Sequence, residues 1–207
     1  MLNGLFGKWL GYSKDQIDEL ILMGLLHDCG KAMIPARILS APRKLTLTEF
    51  EVIKTHTIYG NNLLESFPNS IRIAARAHHE KLGGKGYPDR LSGNGIPDQA
   101  RITSIVDIYD AMVSQRAYKT ASSPFKIFGL LNELKWTDLD PILADNFIKC
   151  MSHELLGRQV LLSDNRIGTI CAYTADNCEF PCVLVGDKEV YTNKSVYCER
   201  LLSDFEK

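Results

Sequence analysis

The sequence predicts a mainly α fold: a helical bundle over residues 1–156, then a small antiparallel β appendage over 157–207. Three observations predict it. Apolar residues recur at helical spacing from the N-terminal region to about His153. After Gly157 that spacing gives way to short runs of β-formers separated by turn pairs. The chain has 207 residues, 45% of them hydrophobic, enough for one well-cored domain of about 150 residues and an appendage.

Ser13 is an N-cap ahead of Ile17, Leu20, Ile21, Gly24 and Leu25, which sets the dipeptide His27-Asp28 at a helix end. Gly30 loosens the chain there, and Pro35 and Pro42 punctuate a connector. Thr48 and Glu51 form a capping-box pattern before a helix carrying Phe50, Ile53, Leu63, Leu64 and Phe67, with His56 on its buried stripe. Pro68-Asn69 opens another helix, through Ile71, Ile73, Ala74, Ala75 and Ala77 to His78-His79. Leu82 to Pro97 is too rich in glycine and proline to be helical throughout. Helix resumes near Ala100 and carries Ile105, Asp107 and Tyr109; Ser122-Ser123-Pro124 and Asp140-Pro141 start two more. The strand runs are Gln159 to Leu162, Ile167 to Tyr173, Val183 to Val185 and Val190 to Thr192, joined by hairpin turns at Asp164-Asn165 and Gly186-Asp187.

A formal net charge of -1 excludes a global basic field for DNA, so an anionic ligand must be held locally or by metals. No apolar stretch approaches the ~20 residues of a membrane span, and Met1 to Leu10 is too short and too poorly flanked for a signal peptide, which predicts a cytoplasmic protein. The six cysteines then count as reduced thiols, mostly buried small hydrophobes, with the Cys178/Cys182 spacing a weak zinc signal.

Four of the five histidines lie in one region, as His27, His56, His78 and His79, together with Asp28 and Asp107. A lone histidine on an apolar helix face is more often a hydrogen-bonded core residue than a ligand. Asp107, set within Ile105-Val106-Asp107-Ile108-Tyr109, is harder to explain that way, since a buried carboxylate needs a metal or a partner such as Arg101. Imidazoles and carboxylates suit divalent iron, manganese and zinc, and the two oxygens of Asp28 could bridge a pair of cations. Lys31, three residues on, is placed to hold a phosphate oxygen or donate a proton to a leaving alkoxide, its plain alternative being a solvated helix-end lysine. Arg116 and Lys119, flanking Tyr118, could bind substrate phosphates, and Asp110 could orient a ligand near Asp107.

His27-Asp28-Cys29-Gly30-Lys31, His56, and His78-His79-Glu80 running into Gly84-Lys85-Gly86-Tyr87-Pro88 together resemble the HD-GYP domain of the HD superfamily of metal-dependent phosphohydrolases. The likeness extends through Ile34-Pro35, Ile96-Pro97, Arg101, Asp107, Asp110-Ala111 and Arg116-Ala117-Tyr118, about residues 10–150. It implies an HD-type helical bundle, two iron or manganese ions with a third known in the family, and hydrolysis of the bacterial messenger cyclic di-GMP to pGpG or GMP. It also implies that Asp28 bridges the metals, with His27 and Asp107 completing one site and His56, His78 and His79 the other. By the same resemblance Lys31 lies near the scissile phosphate, and Arg116 and Lys119 contact substrate phosphates.

Two departures stand out. No histidine precedes His27, where the family has one a helix upstream, and Gly83 stands where the family tends to have aspartate. Phe6 to Tyr12 resembles the tail of the family's first helix, so a truncated chain is expected. Gly157 to Ser163 with Gly168-Thr169-Ile170 resembles C-terminal extensions of some family members, to which no chemistry is assigned. Two further readings stay open: hydrolysis of another cyclic dinucleotide such as 3′,3′-cyclic GMP-AMP or of a nucleotide monoester, and a weakly active or inactive domain that binds a messenger or signalling proteins. A homodimer is compatible with each.

Overall fold

The computed structural model describes residues 2–114, 123–174 and 177–202. The mainly α fold with an antiparallel β appendage is the one observed. The chain divides into two compact units, one of Met1–Asp110 with Leu134–Leu143, the other of Ala111–Glu133 with Ala144–Lys207.

In the first unit, α1 (Leu2–Trp9) packs against α2 (Lys14–Leu26), with Phe6, Leu20 and Met23 buried. Ser13 caps α2 in a reciprocal box: its hydroxyl accepts from the Gln16 N–H at 3.4 Å, and Gln16 Oε1 accepts from the Ser13 N–H at 3.0 Å. A 3-10 turn over Cys29–Met33 and the short α3 (Ala36–Leu39) follow.

The next stretch differs from expectation. The capping box lies at Thr46 and Glu49, not Thr48 and Glu51. Thr46 is the residue with extended backbone; its hydroxyl accepts from the Glu49 N–H at 3.2 Å, while Arg43 holds the Glu49 carboxylate through two 2.7 Å bonds. The expected single helix is two, α4 (Leu47–Lys54) and α5 (His56–Leu63), because the Thr55 hydroxyl donates to the Val52 carbonyl at 2.6 Å and closes the last turn of α4. The break re-aims the apolar stripe: Leu64 is buried, while Phe50, Leu63 and Phe67 are exposed.

In α6 (Asn69–Ala77), Ile71, Ala74, Ala75 and Ala77 form the buried face, and the helix ends at His78. A short antiparallel bridge between Gly83 and Ser92 closes the glycine-rich loop, and a 3-10 turn over Gly93–Gly95 leads into α7 (Asp98–Val113). Arg101 is the anchor here, donating to the Ile96 carbonyl at 2.8 Å, the Gly93 carbonyl at 2.9 Å and Asp140 Oδ2 at 2.9 Å.

The second unit holds most of α8 (Pro124–Leu134) and α9 (Pro141–Glu154), with Phe125, Phe128 and Phe147 fully buried. Its sheet contains β1 (Gln159–Leu162), β2 (Ile167–Thr174), β3 (Asn177–Val185), β4 (Lys188–Tyr191) and β5 (Cys198–Leu201) in the antiparallel order β4-β3-β2-β1-β5. Asn165 and Gly186, both at positive φ, occupy the foreseen turns. The fifth strand is an addition to the sequence reading. Cys198-Glu199-Arg200-Leu201 carries too little apolar signal to stand out, but β1 offers it an open edge, pairing Val160 with Leu201 and Leu161 with Arg200. Of the cysteines, Cys182 and Cys198 are buried, Cys171 is exposed and the other three are intermediate. Among the described residues, no helix is long and apolar enough to cross a membrane.

Candidate metal centre

The end of α2, the start of α5, the end of α6 and the middle of α7 converge. His27 follows the last residue of α2, His56 opens α5, His78 and His79 follow α6, and Asp107 lies within α7. Helix ends matter at two of these places. The adjacent His78 and His79 would diverge by about 100° within a regular helix, yet just past Ala77 their rings lie 4.1 Å apart and both join the cluster. Close approach of the Cys29–Met33 turn to α5 depends on Gly30, where a Cβ would overlap the His56 carbonyl oxygen and the Gly60 nitrogen.

Two donor groups result, and both contain Asp28: one is Asp28 with His56, His78 and His79, the other His27, Asp28 and Asp107. Oδ1 of Asp28 is 3.3 Å from His56 Nε2 and 3.8 Å from His78 Nε2, while Oδ2 is 3.5 Å from His27 Nε2. His27 Nε2 is also 3.5 Å from Asp107 Oδ1. The expected alternative partner of Asp107, Arg101, is committed to Asp140 instead.

Tautomers follow from the opposite ring nitrogens. Nδ1 of His27 faces the Gly24 carbonyl at 3.1 Å, that of His56 the Ile53 carbonyl at 2.7 Å, and that of His78 the Ala74 and Ala75 carbonyls at 3.0 and 3.1 Å. A carbonyl only accepts, so each Nδ1 carries a proton and, in the neutral ring, each Nε2 presents a lone pair. The Nε2 atoms of His56 and His78 face each other at 3.4 Å, next to a carboxylate oxygen. His27 Nε2 and Asp28 Oδ1 are buried with no hydrogen-bond partner among the described residues. Converging lone pairs and orphaned acceptors are the environment a divalent cation satisfies, so the donor set fits metal.

The electrostatics agree at His78 and His79. Burial lowers the pKa of His78 well below its ordinary value, reinforced by His79; burial and then His56 bring His79 down to about 3. Both rings are thus neutral and able to ligate. For His27 burial also opposes charge, but Asp107 and Asp28 overcome it and raise the pKa to about 10. Burial likewise works against charge on Asp28 and Asp107, yet His27 holds both below the usual carboxylate range, with His56 and Lys31 adding to the effect at Asp28.

A family model described as HD domain matches residues 4–143. The chain belongs to the HD-domain family. Its relatives include the cyclic di-GMP phosphodiesterase response regulator RpfG of Xanthomonas campestris pv. campestris, 35% identical over 150 residues that cover 70% of this chain and 40% of that protein. The 3′3′-cGAMP-specific phosphodiesterase 3 of Vibrio cholerae is 37% identical over 120 residues, 56% of this chain and 26% of that one. The chain thus spans two fifths or less of the length of these relatives. Among solved structures, Bd1817, an HD-GYP protein from Bdellovibrio bacteriovorus, superposes with a TM-score of 0.54 at 17% identity over 70% of this chain and 47% of that one, a likeness of fold. With its His-Asp and Gly-Tyr-Pro motifs, the chain is an HD-GYP member of the HD-domain family.

Within this HD-GYP domain, Lys31 lies on the Cys29–Met33 turn, half-buried, and its ammonium donates to Asp28 Oδ2. Asp110 is exposed, so the sequence-based suggestion that it orients a ligand finds no support in its placement. Arg116, Tyr118 and Lys119 lie outside the described residues. No cysteine joins either donor group among the described residues, and Cys178 and Cys182 lie on β3.

Sequence reasoning quoted Glu80 and Tyr87 as motif residues without assigning them work. Tyr87 lies over His79, ring centroids 4.8 Å apart and 32° from parallel, with its ring also 6.4 Å from that of His56. Phe50 lies 6.5 Å from Tyr87, and the Lys54 ammonium sits 5.0 Å and 5.5 Å from these two ring centres. The signal was the position of Glu80 and Tyr87, directly after a His-His pair and inside a glycine loop.

Proposed function

We propose that residues 1–156 form a metal-dependent phosphodiesterase domain that hydrolyses cyclic di-GMP to pGpG or GMP, with residues 157–207 as a C-terminal extension whose sheet shares a compact unit with most of α8 and α9. The observation that carries this reading is the shared carboxylate: Asp28 belongs to both donor groups, so it would serve as a ligand to each of two cations held there. Iron or manganese suits a set of imidazoles and carboxylates without thiolate. When bound, such metals supply Lewis-acid activation of water and neutralise charge on a phosphate ester.

The chain's own groups do the rest. His27, Asp28 and Asp107 would hold one cation; Asp28, His56, His78 and His79 would hold the other. The carbonyl bonds at Nδ1 keep three of the four rings in the ligating tautomer. Lys31, tethered to Asp28, brings a positive charge to the edge of the centre, where it can bind a phosphate oxygen and give a proton to the departing ribose oxygen. Arg116 and Lys119 are assigned to the substrate's phosphates through their match to the HD-GYP pattern.

A second reading keeps this chemistry and changes the base: similarity to a 3′3′-cGAMP-specific phosphodiesterase supports 3′,3′-cyclic GMP-AMP as the substrate. Metals and lysines read phosphate, so the centre itself does not choose between them. The test is metal content together with turnover of both dinucleotides by the purified chain, beside Asp28→Ala. Two equivalents of iron or manganese with turnover, both lost in the variant, is the expected result. Turnover that survives Asp28→Ala would sink the mechanism.

A further inference from the structure

Glu80 is a buried acid that the proposed chemistry does not use. It is 3% exposed, and both of its oxygens are engaged by one loop: the Asp89 N–H donates to Oε1 at 2.7 Å and the Leu91 N–H to Oε2 at 3.0 Å. A buried carboxylate is costly unless its lone pairs are filled. With a backbone donor at each oxygen, a carboxamide cannot replace it, since its NH2 would confront an N–H. The site therefore demands glutamate.

The loop so held runs from Gly83 to Ser92, and other bonds tighten it. Arg76 grips the Asp89 carboxylate through two 2.7 Å bonds, and the Tyr87 N–H donates to the His79 carbonyl at 3.3 Å. Gly86 is buried against the turn that carries His79, where a Cβ would meet the His79 carbonyl oxygen and the Lys81 nitrogen, both at 2.6 Å. The product of this clasp is the placement of the Tyr87 ring over the imidazole of His79.

His79 is the imidazole that needs such help. His27, His56 and His78 are each aligned by an Nδ1–H bond to a carbonyl. No ring hydrogen bond aligns His79 among the described residues; its neighbours are the rings of His56, His78 and Tyr87. Ring packing takes the place of the missing bond.

We propose that Glu80 is a positioning residue that acts through Tyr87: by clasping the Gly83–Ser92 loop it keeps the Tyr87 ring against His79 and so holds that ligand toward its metal. This rests on the metal reading above, and the experiment separates the two. Mn2+ alone is titrated into the full chain, with stoichiometry from equilibrium dialysis and the electron paramagnetic resonance spectrum recorded. Wild type should bind two ions with the exchange-coupled spectrum of a bridged pair. Glu80→Gln should weaken one ion about 10- to 100-fold and leave the six-line spectrum of an isolated ion, which a further Asp107→Ala should remove. Tyr87→Ala should reproduce this, and Glu80→Gln should add nothing in its background. Wild type that takes up no Mn2+ overturns the metal reading and this proposal with it. Wild type with a coupled pair overturns the proposal alone if Glu80→Gln keeps that pair at full affinity, weakens both ions equally, or adds to Tyr87→Ala. If Glu80→Gln does not fold, Tyr87→Ala decides: a tightly bound coupled pair in that variant refutes the link.

Discussion

Replacing Gly30 by alanine tests whether the centre depends on backbone contact between the Cys29–Met33 turn and α5. A Cβ at residue 30 would lie 2.9 Å from the His56 carbonyl carbon and nearer still to that carbonyl's oxygen and to the Gly60 nitrogen. All of these are backbone atoms, so no rotamer relieves the overlap. Restoring a normal separation of about 3.5 Å from the closest of them, the carbonyl oxygen, requires the two segments to part by roughly 1.5 Å. Overpacking of this kind costs about 1–3 kcal/mol, a fall in melting temperature of roughly 2–12 °C for a chain of this size. Function should suffer more, because His56 follows its own carbonyl while Asp28 stays with residue 30. The 3.3 Å approach of His56 Nε2 to Asp28 Oδ1 would open, and about 1 Å of misplacement at a reacting centre is worth on the order of 100-fold in rate. Thermal unfolding of metal-free protein, Mn2+ titration and dinucleotide turnover measure the three effects. A Gly30→Ala protein with wild-type melting temperature and full metal uptake would refute the reasoning.

Metal affinity should depend on pH differently at the two donor groups. The charged form of His27 persists to about 10, so a cation at Nε2 must displace a proton, and apparent affinity there should rise about tenfold per pH unit through neutrality. His79, at about 3, and His78, held well below its ordinary value, are already neutral, so neither releases a proton to a cation over the same window; equal slopes for the two Mn2+ ions would contradict this. Asp28→Ala should remove both ions, whereas His27→Ala should spare the one on the His79 side, as read by metal analysis after dialysis. Thr46→Ala should cost about 1 kcal/mol in denaturant unfolding, through loss of the cap on α4, with metal stoichiometry unchanged. Asp140→Ala should cost more, about 2–3 kcal/mol, because it takes the carboxylate partner from the partly buried Arg101 guanidinium and uncaps two N–H groups of α9 that Asp140 accepts from at 3.0 Å.

Much of this was legible beforehand because the responsible signals are local. Ser13 with Gln16 marks the start of α2 whatever surrounds it, since a capping box closes within four residues. The turns at Asn165 and Gly186 need residues that tolerate positive φ, and those residues are visible as letters. Where a local signal had competitors, the reading slipped. Thr46 and Thr48 both offer a hydroxyl three residues before a glutamate, and Arg43 holding Glu49 favours the first. The break at Thr55 resembles uninterrupted helix in sequence, because the residues on either side continue the apolar period. β5 was invisible because a strand with two charged residues owes its existence to the neighbouring edge of β1.

The centre divides in the same way. Residue types and order were enough to nominate His27, Asp28, His56, His78, His79 and Asp107, because imidazoles and carboxylates on apolar helices are costly without a common purpose. Order along the chain carries no distances. Only the folded structure places both oxygens of Asp28 between two donor groups, assigns the protons on three imidazoles through backbone carbonyls three or four residues earlier, gives Arg101 to Asp140, and shows His79 aligned by packing alone among the described residues. Those outcomes depend on where four helix segments meet, and that is set by side chains far apart in sequence packing into one core.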